Sequence, residues 1–167
     1  HIHDLDFYAM GTLTCCQIDL VKLFENGFST GQGSLREPQD IQSYAALAAI
    51  AIQSNQNDQH GGQSIPAFDV AMALGVRKTF RTIVREMGEL LEHLSDAERD
   101  ILNQIELEDK DSMLDPKLSR LINKALLKTE RRTYQAMEAL IHNLNTMHSR
   151  AGAQVPFSSL NFGTDVR

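Results

Sequence analysis

Cysteine occurs at only two positions in this chain of 167 residues, and the two are neighbours, Cys15 and Cys16. Successive side chains of an extended segment point to opposite faces, so an ordinary disulfide between them is disfavoured. With no other cysteine, a disulfide scaffold is excluded, and a reducing cytoplasm is the expected location. Positive charge is also short: 16 Lys and Arg against 22 Asp and Glu leave a net charge of -6. Nucleic-acid-binding surfaces are usually basic, so no nucleic-acid partner is expected. No apolar run approaches the ~18 residues that would suggest a membrane span, and no signal peptide is visible. A nucleophile elbow and a phosphate-binding loop with its lysine are missing too. So is an initiating methionine. The chain opens at His1 inside a patterned segment and stops at Arg167, just after SSLNFGTD. Both ends read as cut, and an internal fragment of a larger protein is the expectation.

The length fits one domain or one piece of a larger one, and 42% apolar residues are enough for a core. His1 to Tyr8 (HIHDLDFY) reads as an extended segment, and Leu13 to Ile18 (LTCCQI) as a strand. Asp19 stands where a helix N-cap belongs, ahead of Leu20, Val21, Leu23 and Phe24, and Gly27 ends that short helix. Residues 28–37 read as a loop. Its Gly31 and Gly33 fall short of a nucleotide-binding fingerprint. A helix opens near Pro38 and Asp40 and buries Ile41, Ala45, Ala48 and Ile52 on one face. Gln63 to Pro66 reads as a short strand or extended turn. A helix from Ala67 to about Leu94 follows, with Gly75 as a kink or break, then a short one from Ser95-Asp96 through Leu107. Glu106 to Asp115 is an exposed connection. Pro116 opens the longest helix, to about His148, a length that suggests a larger protein or a dimer interface. Gln154 to Phe162 reads as a strand. Strands separated by helices point to parallel pairing in an α/β protein. Three short strands are too few to close a sheet.

Most of the unusual chemistry sits between Ala51 and Asp69. There the polar run Gln53, Asn55, Gln56, Asn57, Asp58, Gln59 and His60 meets Gly61-Gly62. Buried amides are costly unless paired, so this stretch is either a solvated loop or, as its apolar flanks favour, the wall of a polar pocket. His1 and His3 share one face of an extended segment. They suit a metal, a polar substrate or a surface role, and no third ligand is set by spacing. At most one of Cys15 and Cys16 lines a pocket, and the other is a small hydrophobe in the core. Arg77, Lys78 and Arg81 suit a phosphate group or a solvated helix face.

Several stretches together resemble one family. They are HIHDLDFY, TCCQIDL, GFSTGQGSLREP, AIQSNQNDQHGGQSIPAFD, GVRKTF and NTMHSRAGAQVPFSSLNFGTD. The chain resembles the anaerobic ribonucleoside-triphosphate reductases, the class III, glycyl-radical ribonucleotide reductases, over essentially its whole length. The resemblance implies an α/β fold: a predominantly helical fragment of a ten-stranded barrel, from the first half-barrel, with long outer helices. It implies an oxidoreductase that converts ribonucleoside triphosphates to deoxyribonucleoside triphosphates by glycyl and thiyl radical chemistry. By its place in the motif, Cys15 matches the family's second cysteine, which faces the substrate, and Cys16 points away. His1 and His3 lie near the catalytic site. Thr14, Gln63, Ser64, Ser158 and Ser159 are implied around the substrate.

Arg36, Glu37, Lys78 and Arg81, with Arg77, are implied at a site for a deoxynucleoside triphosphate or ATP effector in a homodimer. The resemblance also implies partners and groups outside this chain. These are a glycyl radical installed by a radical-SAM activating protein with an iron-sulfur cluster, and a structural zinc. No metal ligand is assigned here. Departures from the family are equally specific. No cysteine follows Cys16 to serve as the thiyl, and the glycyl-radical loop, the zinc site and the amino-terminal nucleotide cone are absent. The fragment alone is expected to be inactive. Two alternatives stand beside this: a helical dimerisation and effector-binding module, or a small α/β pocket protein using His1, His3 and Cys15 for metal or thiol chemistry.

Overall fold

The computed structural model describes residues 15–25, 27–29, 34–58, 61–91, 93–107, 109, 115–146 and 156–163. Three short strands, β1 (Cys16–Gln17), β4 (Gln63–Ile65) and β5 (Ser158–Leu160), form a sheet in the order β1-β4-β5. Both pairings are parallel, as strands separated by helices require. Cys16 is opposite Gln63 and Gln17 opposite Ser64, while Gln63, Ser64 and Ile65 face Ser158, Ser159 and Leu160. The first crossover carries α1 (Leu20–Glu25), an antiparallel ribbon of β2 (Phe28–Ser29) and β3 (Ser34–Leu35), and α2 (Ile41–Asp58). The ribbon replaces part of the loop expected over 28–37. The second crossover carries α3 (Phe68–Glu89), α4 (Asp96–Gln104) and α5 (Pro116–Thr146).

Helix boundaries follow local chemistry. Asp40 caps α2: its Oδ1 accepts from the backbone N–H and the hydroxyl of Ser43, both at 2.7 Å. Pro38 therefore stands before the helix rather than in its first turn. The helix then continues through Asp58, so most of the polar run is helical and not a loop. Ser95 and Glu98 close a capping box on α4. Gly75 does not break α3, which runs from Phe68 to Glu89. It is buried where α3 crosses α2, beside Tyr44 and Ile41. One turn later Thr79, fully buried, accepts from the free Ile41 N–H at 2.9 Å and donates to the Gly75 carbonyl at 2.8 Å. The α3 helix stops at Glu89, short of the expected Leu94, and Leu90 is left 80% exposed.

Two apolar cores result. One gathers Leu20, Phe24, Tyr44, Ile52, Ile65 and Phe68 against Ala136 and Leu140 of α5. The other gathers Phe80, Ile83, Val84 and Leu102 against Leu118, Leu121, Ile122 and Ala125. The amino-terminal half of α3 and the carboxy-terminal half of α5 belong to the first core, and their other halves to the second. The two helices therefore run antiparallel. At ~1.5 Å per residue α5 is about 46 Å long, and bridging two cores accounts for that length. No helix among the described residues is long and apolar enough to cross a membrane.

Candidate functional site

The helices cover one face of the sheet. Ile65 is fully buried and Gln63 is 3% exposed on that side. Alternation puts Ser64 on the other side. The register then brings Gln17, Ser64 and Ser159 into one row, and Cys15, Gly62 and Phe157 into the row before it. An open cleft of about 410 Å³ lies along these residues. Cys15 is exposed, and Phe157 is 82% exposed. Gly62 leaves room between them: a Cβ there would stand 3.3 Å from the Phe157 ring. A thiol, two hydroxyls, a primary amide and an aromatic face thus meet on one surface. Such a surface can hydrogen-bond a polyhydroxylated substrate and stack on a planar group.

Behind the sheet the side chains are committed to one another. Gln63 donates from Nε2 to the Ile52 carbonyl at 3.0 Å, and its Oε1 accepts from Asn55 Nδ2 at 2.8 Å. Asn55 Nδ2 also stands 2.9 Å from Cys16 Sγ as a donor. Gln53 donates to the Asn143 carbonyl at 3.4 Å, and Gln56 is buried. The polar end of α2 is therefore neither a solvated loop nor the wall of the cleft. It is the support on which β1 and β4 rest.

The expected site residues separate accordingly. Cys15, Ser64 and Ser159 come together on the open face. Gln63 is among the residues lining the cleft, and its side-chain amide is hydrogen-bonded to Ile52 and Asn55 of α2. Ser158, paired with Gln63, alternates to the same covered side. Cys16 is half-buried and hydrogen-bonded, not a core hydrophobe. His1, His3 and Thr14 lie outside the described residues. Gln17 and Phe157 went unassigned from sequence, although Gln17 stands two residues from Cys15, the spacing that returns a strand to the same face. Among the described residues no three His, Cys, Asp or Glu side chains group as a metal site.

The cationic residues form a second cleft, of about 370 Å³, where Gln39, Lys78, Arg81, Thr82, Arg85 and Asn103 converge. Lys78 pairs with Glu37, donates to the Pro38 carbonyl at 3.0 Å and lies 5.5 Å from the Tyr44 ring centroid. Burial opposes its charge, but hydrogen bonds to Glu37 and Tyr44 and the attraction of both outweigh it. The pKa therefore stands above the usual 10.5. Arg81 pairs with Glu106. Arg36 is exposed. The structure thus joins Glu37 to Lys78, and gives Lys78 and Arg81 internal acidic partners that a bound anion must compete with. A larger groove, about 800 Å³, lies by the second core among Met87, Leu90, Leu91 and Leu121. Its rim carries Lys117, Arg120, Lys124 and Lys128.

The family model described as anaerobic ribonucleoside-triphosphate reductase matches residues 1–167. The chain belongs to that family. Relatives bearing the same name include a protein of Enterobacteria phage T4, 28% identical over 165 residues, covering 98% of this chain and 23% of that protein. Those of Salmonella typhimurium and Escherichia coli are 26% and 25% identical over 164 residues, covering 98% of this chain and 19% of each relative. The chain thus spans between 19% and 23% of the length of these curated relatives. The matched stretch takes in both the thiol-bearing cleft and the cationic one.

Proposed function

We propose that this chain forms one wall of the substrate cleft of an anaerobic ribonucleoside-triphosphate reductase, an oxidoreductase, with Cys15 as the thiol presented to the ribonucleotide. The observation that carries the reading is the pair of rows Cys15–Gly62–Phe157 and Gln17–Ser64–Ser159 on the open sheet face. Ser64 and Ser159 hydrogen-bond the ribose or phosphate, Gly62 admits the substrate close to the backbone, and Phe157 packs on a planar part of it. Roles in catalysis for His1 and His3, and in substrate binding for Thr14, rest on the family resemblance alone. The three parallel strands belong to a larger closed α/β barrel, a reading supported by the helices covering one of their faces among the described residues. The glycyl radical, its radical-SAM activating protein and the structural zinc belong to other parts of the parent. The chain alone binds nucleotide without reducing it.

A second reading concerns regulation. The cleft at Lys78, Arg81 and Arg85 takes the phosphates of a deoxynucleoside triphosphate or ATP effector, with Arg36 and Glu37 at its edge, in a homodimer. Its support is the convergence of three cations with the amides Gln39 and Asn103.

Equilibrium dialysis tests both readings. Replacing both serines, Ser64→Val with Ser159→Val, is expected to weaken ribonucleoside triphosphate binding about tenfold, the loss of one to two hydrogen bonds. Arg85→Ala should weaken the deoxynucleotide and spare the ribonucleotide. Absence of ribonucleotide binding at millimolar concentration, or binding indifferent to both serines, sinks the first reading.

A further inference from the structure

Asn55 carries two N–H groups on Nδ2, and both have acceptors: Gln63 Oε1 at 2.8 Å and Cys16 Sγ at 2.9 Å. The orientation of this pair is not arbitrary. Gln63 is 3% exposed, and its Nε2 is committed to the Ile52 carbonyl at 3.0 Å. A backbone carbonyl only accepts, so the nitrogen of the Gln63 amide must face it and the oxygen must face Asn55. That oxygen calls for the Nδ2 end of Asn55. Nδ2 then reaches the sulfur as a donor. A relay therefore runs from the α2 backbone through Gln63 and Asn55 to the thiol, and each link sets the polarity of the next.

We propose that Asn55 is a positioning residue for Cys16. It holds Sγ as a hydrogen-bond acceptor behind the cleft, with Gln63 fixing the amide. The adjacent cysteines then serve as two unlike thiols, Cys15 open to the cleft and Cys16 anchored from the helix side. Cys16 also borders the cleft, so the anchored sulfur remains within reach of small reagents. The inference rests on reading the cleft as a thiol site, but not on any nucleotide.

The test is alkylation of the chain by limiting iodoacetamide, scored at each cysteine by tandem mass spectrometry. The sulfur forms a bond to carbon, iodide leaves and the thiol proton goes to solvent. Negative charge on the attacking sulfur is stabilised by an N–H donor and opposed by a carboxylate. Asn55→Asp, nearly isosteric, is expected to slow Cys16 about tenfold and change Cys15 by less than about twofold. Asn55→Leu removes the donor without adding charge and should slow Cys16 by less. Loosening of the fold acts in the opposite direction, because it exposes sulfur and speeds alkylation. A Cys16 rate in Asn55→Asp equal to or above that of the unaltered chain overturns the proposal, as does equal slowing at both cysteines. Either failure leaves ribonucleotide binding intact, so it is separable from failure of the reductase reading.

Discussion

At Gly75 the backbones of α2 and α3 approach until one methyl group has no room. A Cβ there would stand 2.8 Å from Tyr44 Cδ2, 2.9 Å from its Cγ and 3.1 Å from Ile41 Cα. Tyr44 is 2% exposed and packs edge-on against Phe24, with ring centroids 5.1 Å apart. Its ring has nowhere to retreat. Alanine gains about 1 kcal/mol over glycine inside a helix, but overpacking a core costs about 1–3 kcal/mol. Gly75→Ala is therefore expected to lower stability by up to about 2 kcal/mol in a denaturant titration. A variant as stable as the original would mean that Tyr44 can shift. From sequence the residue reads as a helix breaker. Its contact partner lies 31 positions earlier, and no local pattern reveals it.

At the scale of elements, α4 shows how far local chemistry reaches. Ser95 accepts from the Glu98 N–H at 3.3 Å, and Glu98 Oε2 accepts from the Ser95 N–H at 2.7 Å and from its hydroxyl at 2.8 Å. The backbone and side-chain hydrogen bonds from Ser95 hold the Glu98 pKa below its usual 4.5. A carboxylate lowered on folding stabilises the fold above its unfolded pKa, and that contribution is lost as the pH falls through the folded value. Glu98→Gln can still accept a hydrogen bond but cannot ionise. The melting temperature of the original chain should exceed that of Glu98→Gln above pH 4.5. The gap should close as the pH drops further, and a gap independent of pH would contradict the capping role. The start of this helix was legible because the cap, Ser95, adjoins the helix and its partner, Glu98, lies three residues on. The end of α2 was not. Residues 53–58 read as a solvated loop or a pocket wall, and they are helical with Gln53 and Asn55 hydrogen-bonded to other elements.

Two apolar clusters could have meant two separately unfolding units. The long helices argue otherwise, since α3 and α5 each contribute to both. Between the clusters Thr129, 2% exposed, and Thr133 donate to the carbonyls four residues back at 2.8 Å. The polar middle is thereby satisfied within α5 itself. Leu118→Ala removes a side chain 2% exposed in the second core and is expected to cost about 2–5 kcal/mol. Because the helices are shared, one thermal transition should move as a whole. Two resolved transitions, only one of them shifted, would show that the cores unfold independently.

By itself the sequence determined the class and the family. Strand-length segments separated by amphipathic helices force parallel pairing, and the long motifs around Cys15, residues 51–69 and residues 145–165 carry the family. It also placed Ser64 and Ser159 among the candidate residues. Only the tertiary structure decided which side chains share a face. A shift of one residue in register exchanges the faces of a strand, and the pairings of β1, β4 and β5 join segments far apart in the chain. That register turns Gln63 toward α2, aligns Gln17 and Phe157 with Cys15, and puts Asn55 against Cys16. The cationic cluster depended on tertiary contacts in the same way: its bases follow one another on α3, while their acidic partners, Glu37 and Glu106, arrive from elements on either side.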